Sequence, residues 1–193
     1  MTPIITIRGG VTREAIVMTL NKGIAGDAYP RGTATYRQWL SRTWDPDRAV
    51  ALVVGINPNT ATESQDDGMT RFLTRLLRGI PGQYECGGFI LVNCCDYRAP
   101  DPKTLKHCRA PVSPNNLATV RSKLVECDFV VASWGTTNYG RFLEDCRDQI
   151  ASLVRHSGKP VICFSPRCLP IYCGARYANT DDGRWSNTPI PWS

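Results

Sequence analysis

Histidine is scarce in this chain of 193 residues: only His107 and His156 occur. Neither sits at the end of an apolar run, so imidazole chemistry is not expected. No C-x-x-C pair occurs among the nine cysteines at 86, 94, 95, 108, 127, 146, 163, 168 and 173. An odd count suits neither a closed disulfide framework nor a tetrahedral zinc site, so reduced thiols, several of them buried, are expected. The spacing of Cys163, Cys168 and Cys173 would suit a partial metal or iron–sulfur set, against the plainer reading of thiols packed in strands. No apolar run approaches the roughly 20 residues of a membrane helix, and Met1 to Gly10 lack the charged-then-apolar layout of a signal peptide. These absences point to a soluble cytoplasmic protein with no membrane partner; a monomer without metal or organic cofactor is expected.

What is present is enough apolar material, 42% of the chain, for one well-filled core. Residues 1–193 read as one domain, with 1–34 an N-terminal segment of uncertain structure and 180–193 a proline-punctuated wrap. The formal charge of +6 favours anionic partners, since Lys and Arg that neutralise phosphates attract nucleic acid regardless of its sequence. The excess is moderate and permits DNA binding without proving it.

The first strong strand, Val50 to Val54, stops on Gly55-Ile56-Asn57-Pro58 and delivers an amide to its own carboxyl end. Before it, Thr35 to Trp44 do not alternate cleanly and Trp44 to Arg48 read as a turn. After it, apolar residues at 69, 72, 73, 76 and 77 follow helical spacing, which Gly79 and Pro81-Gly82 end. Phe89 to Asn93 form a second buried strand ending on an amide, followed by a long loop from Arg98 to Pro114. A helix from Asn116 to Glu126, a strand from Phe129 to Ser133, a helix from Phe142 to Arg155 and a strand from Pro160 to Phe164 complete the alternation. Strands alternating with helices predict a three-layer α/β/α sandwich around a mainly parallel sheet. One rim would then gather Asn57, Asn93, Trp134-Gly135-Thr136 and Ser165-Pro166-Arg167. Ligands of open α/β sheets sit at that rim.

Four of these strand ends resemble, in order and rough spacing, segments of the uracil-DNA glycosylase superfamily. Gly55-Ile56-Asn57-Pro58 is similar to the water-activating segment of its mismatch-specific branch, and Gly88 to Asn93 to the strand whose last Asn reads the flipped base. Ala132 to Thr136 resembles its Leu-Leu-Trp-Gly strand, and Ser165 to Gly174 its minor-groove loop, with Ser165 where the family has His. Trp44-Asp45-Pro46-Asp47, Asn57 to Ala61, Asp66-Asp67 and Thr70-Arg71 also resemble the domain of unknown function numbered 1643, over roughly residues 35 to 190.

The glycosylase resemblance implies a uracil-DNA glycosylase-like fold and hydrolysis of an N-glycosidic bond. Such a site needs an oriented water and donors aimed at the departing base. Asn57 would hold the water, with Asp66 and Asp67 as further catalytic groups; Ile56, Pro58, Asn59, Asn93 and Ser165 would bind the base. Arg71 and Arg167 would contact DNA and Leu169 would wedge into the space of the flipped nucleotide. Where the classical enzymes place a Tyr that rejects thymine, this chain has Asn59 followed by Thr60 and Ala61. Room at that place implies a 5-modified pyrimidine, such as a hydroxymethylated or glycosylated cytosine of phage DNA, and an abasic product.

Plainer readings stand beside these. Asn57-Pro58 and Asn93 are ordinary strand-ending residues, Asp66-Asp67 a turn or helix cap, Trp134 packing, Leu169 core, and the arginines solvated surface. The same rim could also serve a non-catalytic reader of modified bases, or an enzyme acting on free nucleotides or nucleosides.

Overall fold

The computed structural model describes residues 18–135, 141–165, 168 and 188–192. The centre of the fold is four parallel strands: β4 (Ala49–Gly55), β6 (Cys86–Asn93), β7 (Phe129–Ala132) and β8 (Val161–Cys163). Their order is β6-β4-β7-β8, with each neighbouring pair parallel, so all four carboxyl ends share one rim. Strands buried on both faces carry apolar side chains at nearly every position, which is why each shows in the sequence as a continuous apolar run.

Three α-helices occur among the described residues: α1 (Gly68–Arg78), α2 (Asn116–Glu126) and α3 (Arg141–His156). Successive strand residues point to opposite faces. Ala51, Val53, Phe89 and Leu91 accordingly pack with Phe72, Leu73 and Leu77 of α1. Leu52, Val54, Ile90 and Val92 pack with Val120 and Leu124 of α2 and with Ile150, Ala151 and Val154 of α3. Helices therefore cover both faces of the sheet, and each fully buried aliphatic side chain contributes about 1.5–3 kcal/mol.

The sheet is mixed rather than mainly parallel. β2 (Ala25–Tyr29) and β3 (Trp39–Thr43) extend it antiparallel beyond β6, and β9 (Ile190–Pro191) closes the far edge antiparallel to β8. β3 falls where the sequence showed no clean alternation, because buried Arg42 interrupts the apolar pattern. Pro191 is tolerated in β9 because an edge strand can do without one ladder N–H. A small second sheet pairs β1 (Met18–Thr19) with β5 (Gln65–Asp66).

No helix among the described residues is long and apolar enough to cross a membrane. The eight described cysteines are free thiols.

Candidate functional site

Two loops leave the central strands side by side, because Gly55 and Asn93 are register partners at the ends of β4 and β6. Backbone bonds lace them together: Cys94 N–H donates to Gly55 O at 2.9 Å, Cys95 N–H to Ile56 O at 2.8 Å and Ala99 N–H to Pro58 O at 3.0 Å. The Asn57 amide joins this lacing, its Nδ2 donating to Pro58 O at 3.0 Å and to Ala99 O at 2.7 Å. Two carbonyl partners take both hydrogens of Nδ2 and leave Oδ1 as the side chain's acceptor. Asn57 is half-buried, so that oxygen is placed to accept from a water or a ligand.

Asn93 is 0% exposed, yet neither its Nδ2 nor its Oδ1 has a hydrogen-bond partner among the described residues. A buried amide without partners costs about 1–3 kcal/mol, and most native structures avoid it. The surroundings accommodate this amide closely: a Cβ on Gly55 would come within 2.9 Å of Asn93 Oδ1. On the opposite side of the strand end, Asn116 at the start of α2 donates from Nδ2 to Asn93 O at 3.2 Å and to Cys94 O at 3.0 Å. The backbone of Asn93 is thus clamped while its side chain offers one donor group and one acceptor group.

The two acids behind the Asn57 loop are engaged. Asp66 Oδ1 forms a fully buried ion pair with Arg42 Nε at 2.9 Å. Asp67 is the N-cap of α1: its Oδ1 accepts from Thr70 N–H at 2.8 Å, and Thr70 Oγ1 accepts from Asp67 N–H at 3.0 Å. Asp67 Oδ2 also accepts from Ala61 N–H at 3.3 Å, which ties the Asn57 loop to the helix start. The helix-cap reading of Asp67 is the one the geometry bears out.

Over residues 37–169 the chain matches a family described as protein of unknown function, DUF1643. The chain belongs to that family. No curated protein and no solved structure matches it. The matched span opens on Arg37 and takes in both laced loops.

The remaining expected site residues of this DUF1643 chain fall in four places. Ile56 and Pro58 are buried in the laced loop, and Asn59 is half-buried with its Oδ1 covered and unpartnered among the described residues. Ser165 is buried just beyond β8 on the same rim; its carbonyl accepts from Cys168 N–H at 2.8 Å. Cys168 takes a left-handed backbone (φ +50) and hydrogen-bonds the Cys163 thiol, which brings Cys163 down to about 7 and pushes Cys168 up. Arg71 is half-buried and donates to Thr19 O at 3.3 Å. Arg167 and Leu169 lie outside the described residues, as do Pro166, Thr136, Cys173 and most of the 180–193 segment.

Trp134 packs in the core against Trp192, ring centroids 5.2 Å apart at 81°. Arg78 stands over Trp44, whose Nε1 donates to Cys86 O at the start of β6. That is the opposite rim from Asn93, because a helix following a parallel strand runs back along it. Lys103, Lys106 and Arg109 are exposed on the loop that follows β6.

Sequence reasoning missed Arg37 and Arg98, which flank the laced loops. Arg37 N–H donates to Asp96 O at 2.8 Å, and Arg98 Nη1 holds Asn59 O at 2.7 Å. No spacing marks either one, since a lone Arg reads as surface.

Proposed function

We propose that this chain is a monofunctional DNA glycosylase of the uracil-DNA glycosylase type. It hydrolyses the N-glycosidic bond of a flipped, 5-modified pyrimidine and leaves an abasic site. The observation that carries this reading is the Asn93 amide, sealed from water, clamped by its backbone and without a partner among the described residues. An amide in that state matches an edge that offers a donor beside an acceptor, as the Watson–Crick edge of a pyrimidine does. The Oδ1 of Asn57, on the neighbouring strand end, supplies the acceptor that would orient the attacking water. Asn is not a base, so the water is positioned and deprotonates only as the bond breaks, and turnover is slow.

In this reading Asp66 and Asp67 are positioning residues: one holds Arg42, the other anchors Ala61 and α1. Asn59, followed by Thr60 and Ala61, is smaller than the Tyr that the glycosylase resemblance puts at this place, which supports a substituted base rather than uracil. Exposed Lys103, Lys106 and Arg109 beside the rim supply cations for a DNA backbone.

The engagement of both acids favours one second reading, a reader that binds a modified base without cutting it. The experiment is mass spectrometry of bases released from natural and phage-modified DNAs, with Asn57→Ala alongside. An enzyme releases a substituted pyrimidine and loses turnover in Asn57→Ala; a reader releases nothing and loses affinity. Efficient release of uracil alone would reject the 5-modified substrate.

A further inference from the structure

Arg37 and Arg98 converge on one neutral acceptor: Nη1 of each donates to the Ala61 carbonyl, at 3.2 Å and 2.9 Å. Arg98 is held further by Asn59 O and by Gly32 O at 2.8 Å. Arg37 is 0% exposed and forms no ion pair among the described residues. Its Nε and Nη2, and Nε of Arg98, are covered and have no partner there. Burial, and next the Arg98 charge, pull the Arg37 guanidinium from 12.5 down to about 9, with Asp67 opposing. Asp67 carries a single negative charge and so offsets at most one of the two guanidiniums.

The atoms left open on Arg37 are chemically informative. Nε and Nη2 together form the side-on fork of a guanidinium, the edge that takes two oxygens of a phosphate or carboxylate at once. A buried cation with that fork empty is expensive, and an anion on the fork removes the cost. With a net charge of +6 and exposed Lys103, Lys106 and Arg109 on the same rim, phosphate is the oxyanion the surroundings collect.

We propose that Arg37 and Arg98 form a phosphate-binding site behind the Asn57–Ala61 loop, the oxyanion seated on the Nε and Nη2 edge of Arg37. Entry is from the side of Arg98, Asn59 and Thr60, which are half-buried while Arg37 is fully covered. The Ala61 carbonyl stays on Nη1 of both arginines, so the oxyanion on the free edge of Arg37 binds beside the loop that bears Asn57. The site stands apart from base excision; only the assignment of the phosphate to DNA rests on that reading.

The test is titration of the full chain with inorganic phosphate against chloride at matched ionic strength, read by calorimetry and by melting temperature. Wild type binds saturably and melts higher. Arg37→Met loses the response, Arg37→Lys binds about ten-fold weaker or worse because the fork is gone, and Arg75→Gln, an exposed control, is unchanged. Either the Met or the Lys variant suffices if the other fails to fold. A deoxynucleoside monophosphate and an abasic-site duplex then compete for bound phosphate: displacement by the duplex assigns the site to DNA, and by the mononucleotide alone to free nucleotides. Absence of saturable binding in wild type, or equal binding in Arg37→Met and Arg37→Lys, overturns the proposal. Base release without phosphate binding would leave the glycosylase reading intact and reject this site.

Discussion

Arg42 and Arg37 are both sealed from water in the same stretch of chain, yet their surroundings are opposite. Arg42 has Asp66 at 2.9 Å on Nε, Ser41 O at 2.8 Å on Nη1, and Thr62 O at 2.7 Å and Gln65 O at 2.9 Å on Nη2. Arg37 has one carbonyl at 3.2 Å and no hydrogen-bonded carboxylate among the described residues. The protein itself meets the cost of burying the first charge, whereas the second forms no ion pair among the described residues and is the one assigned to the proposed phosphate site. The amides repeat the contrast in part: both hydrogens of Asn116 Nδ2 reach carbonyls while its Oδ1 is covered without a partner, whereas neither end of the Asn93 side chain reaches a partner among the described residues. On the proposed reading, the satisfied Arg42 belongs to the scaffold, and the unsatisfied Asn93 amide and Arg37 edge are where ligands bind.

The contrast is broken most severely by removing a saturated group. Arg42→Met leaves Asp66 buried without its cation and should cost about 3–5 kcal/mol in urea or thermal unfolding. A loss below about 1 kcal/mol would mean that the Arg42 pair is no scaffold. Arg37→Met should do the reverse, leaving stability unchanged or raising it by about 1–4 kcal/mol, because an uncompensated charge is replaced by an apolar side chain. If Arg37→Met and Arg42→Met destabilise equally, the distinction between them is gone.

Smaller effects sharpen the comparison. Gly55→Ala drives a methyl into Asn93 Oδ1 and should cost about 1–3 kcal/mol. In an Asn93→Ala background that cost should vanish, and a double-mutant cycle measures the coupling. Persistence of the full cost would place the clash elsewhere. Asp67→Ala removes the cap of α1 and should cost about 1 kcal/mol, recovered by Asp67→Ser.

Much of the fold was legible in the sequence because the central strands are apolar on both faces. Val50 to Val54, Phe89 to Val92, Phe129 to Ala132 and Val161 to Cys163 could be read as strands without knowing their neighbours. The three helices showed through their apolar spacing and stop signals. The edges were illegible for a physical reason. β3 carries Arg42 inward, and that is tolerable only because Asp66, from a distant loop, meets it. β9 carries Pro191, which the rules for interior strands forbid and those for edges permit. In the site, Asn57 and Asn93 were visible as amides at strand ends, since strand termination is a local property. Whether an amide or a guanidinium is satisfied depends on contacts across the chain, so the contrast between Asn93 and Asn116, or Arg37 and Arg42, could not be read from one sequence.

Asn93→Leu tests the central claim most directly, since it removes both unpartnered atoms of the Asn93 amide and little else. Wild type and variant would be compared for stability by urea unfolding and for base release from 5-modified DNA by mass spectrometry. The account predicts stability within about 1 kcal/mol of wild type or higher, because no hydrogen bond is lost, together with loss of base release. A variant that still releases the base, or that unfolds about 3 kcal/mol more easily, would show that the Asn93 amide serves the fold and not a ligand.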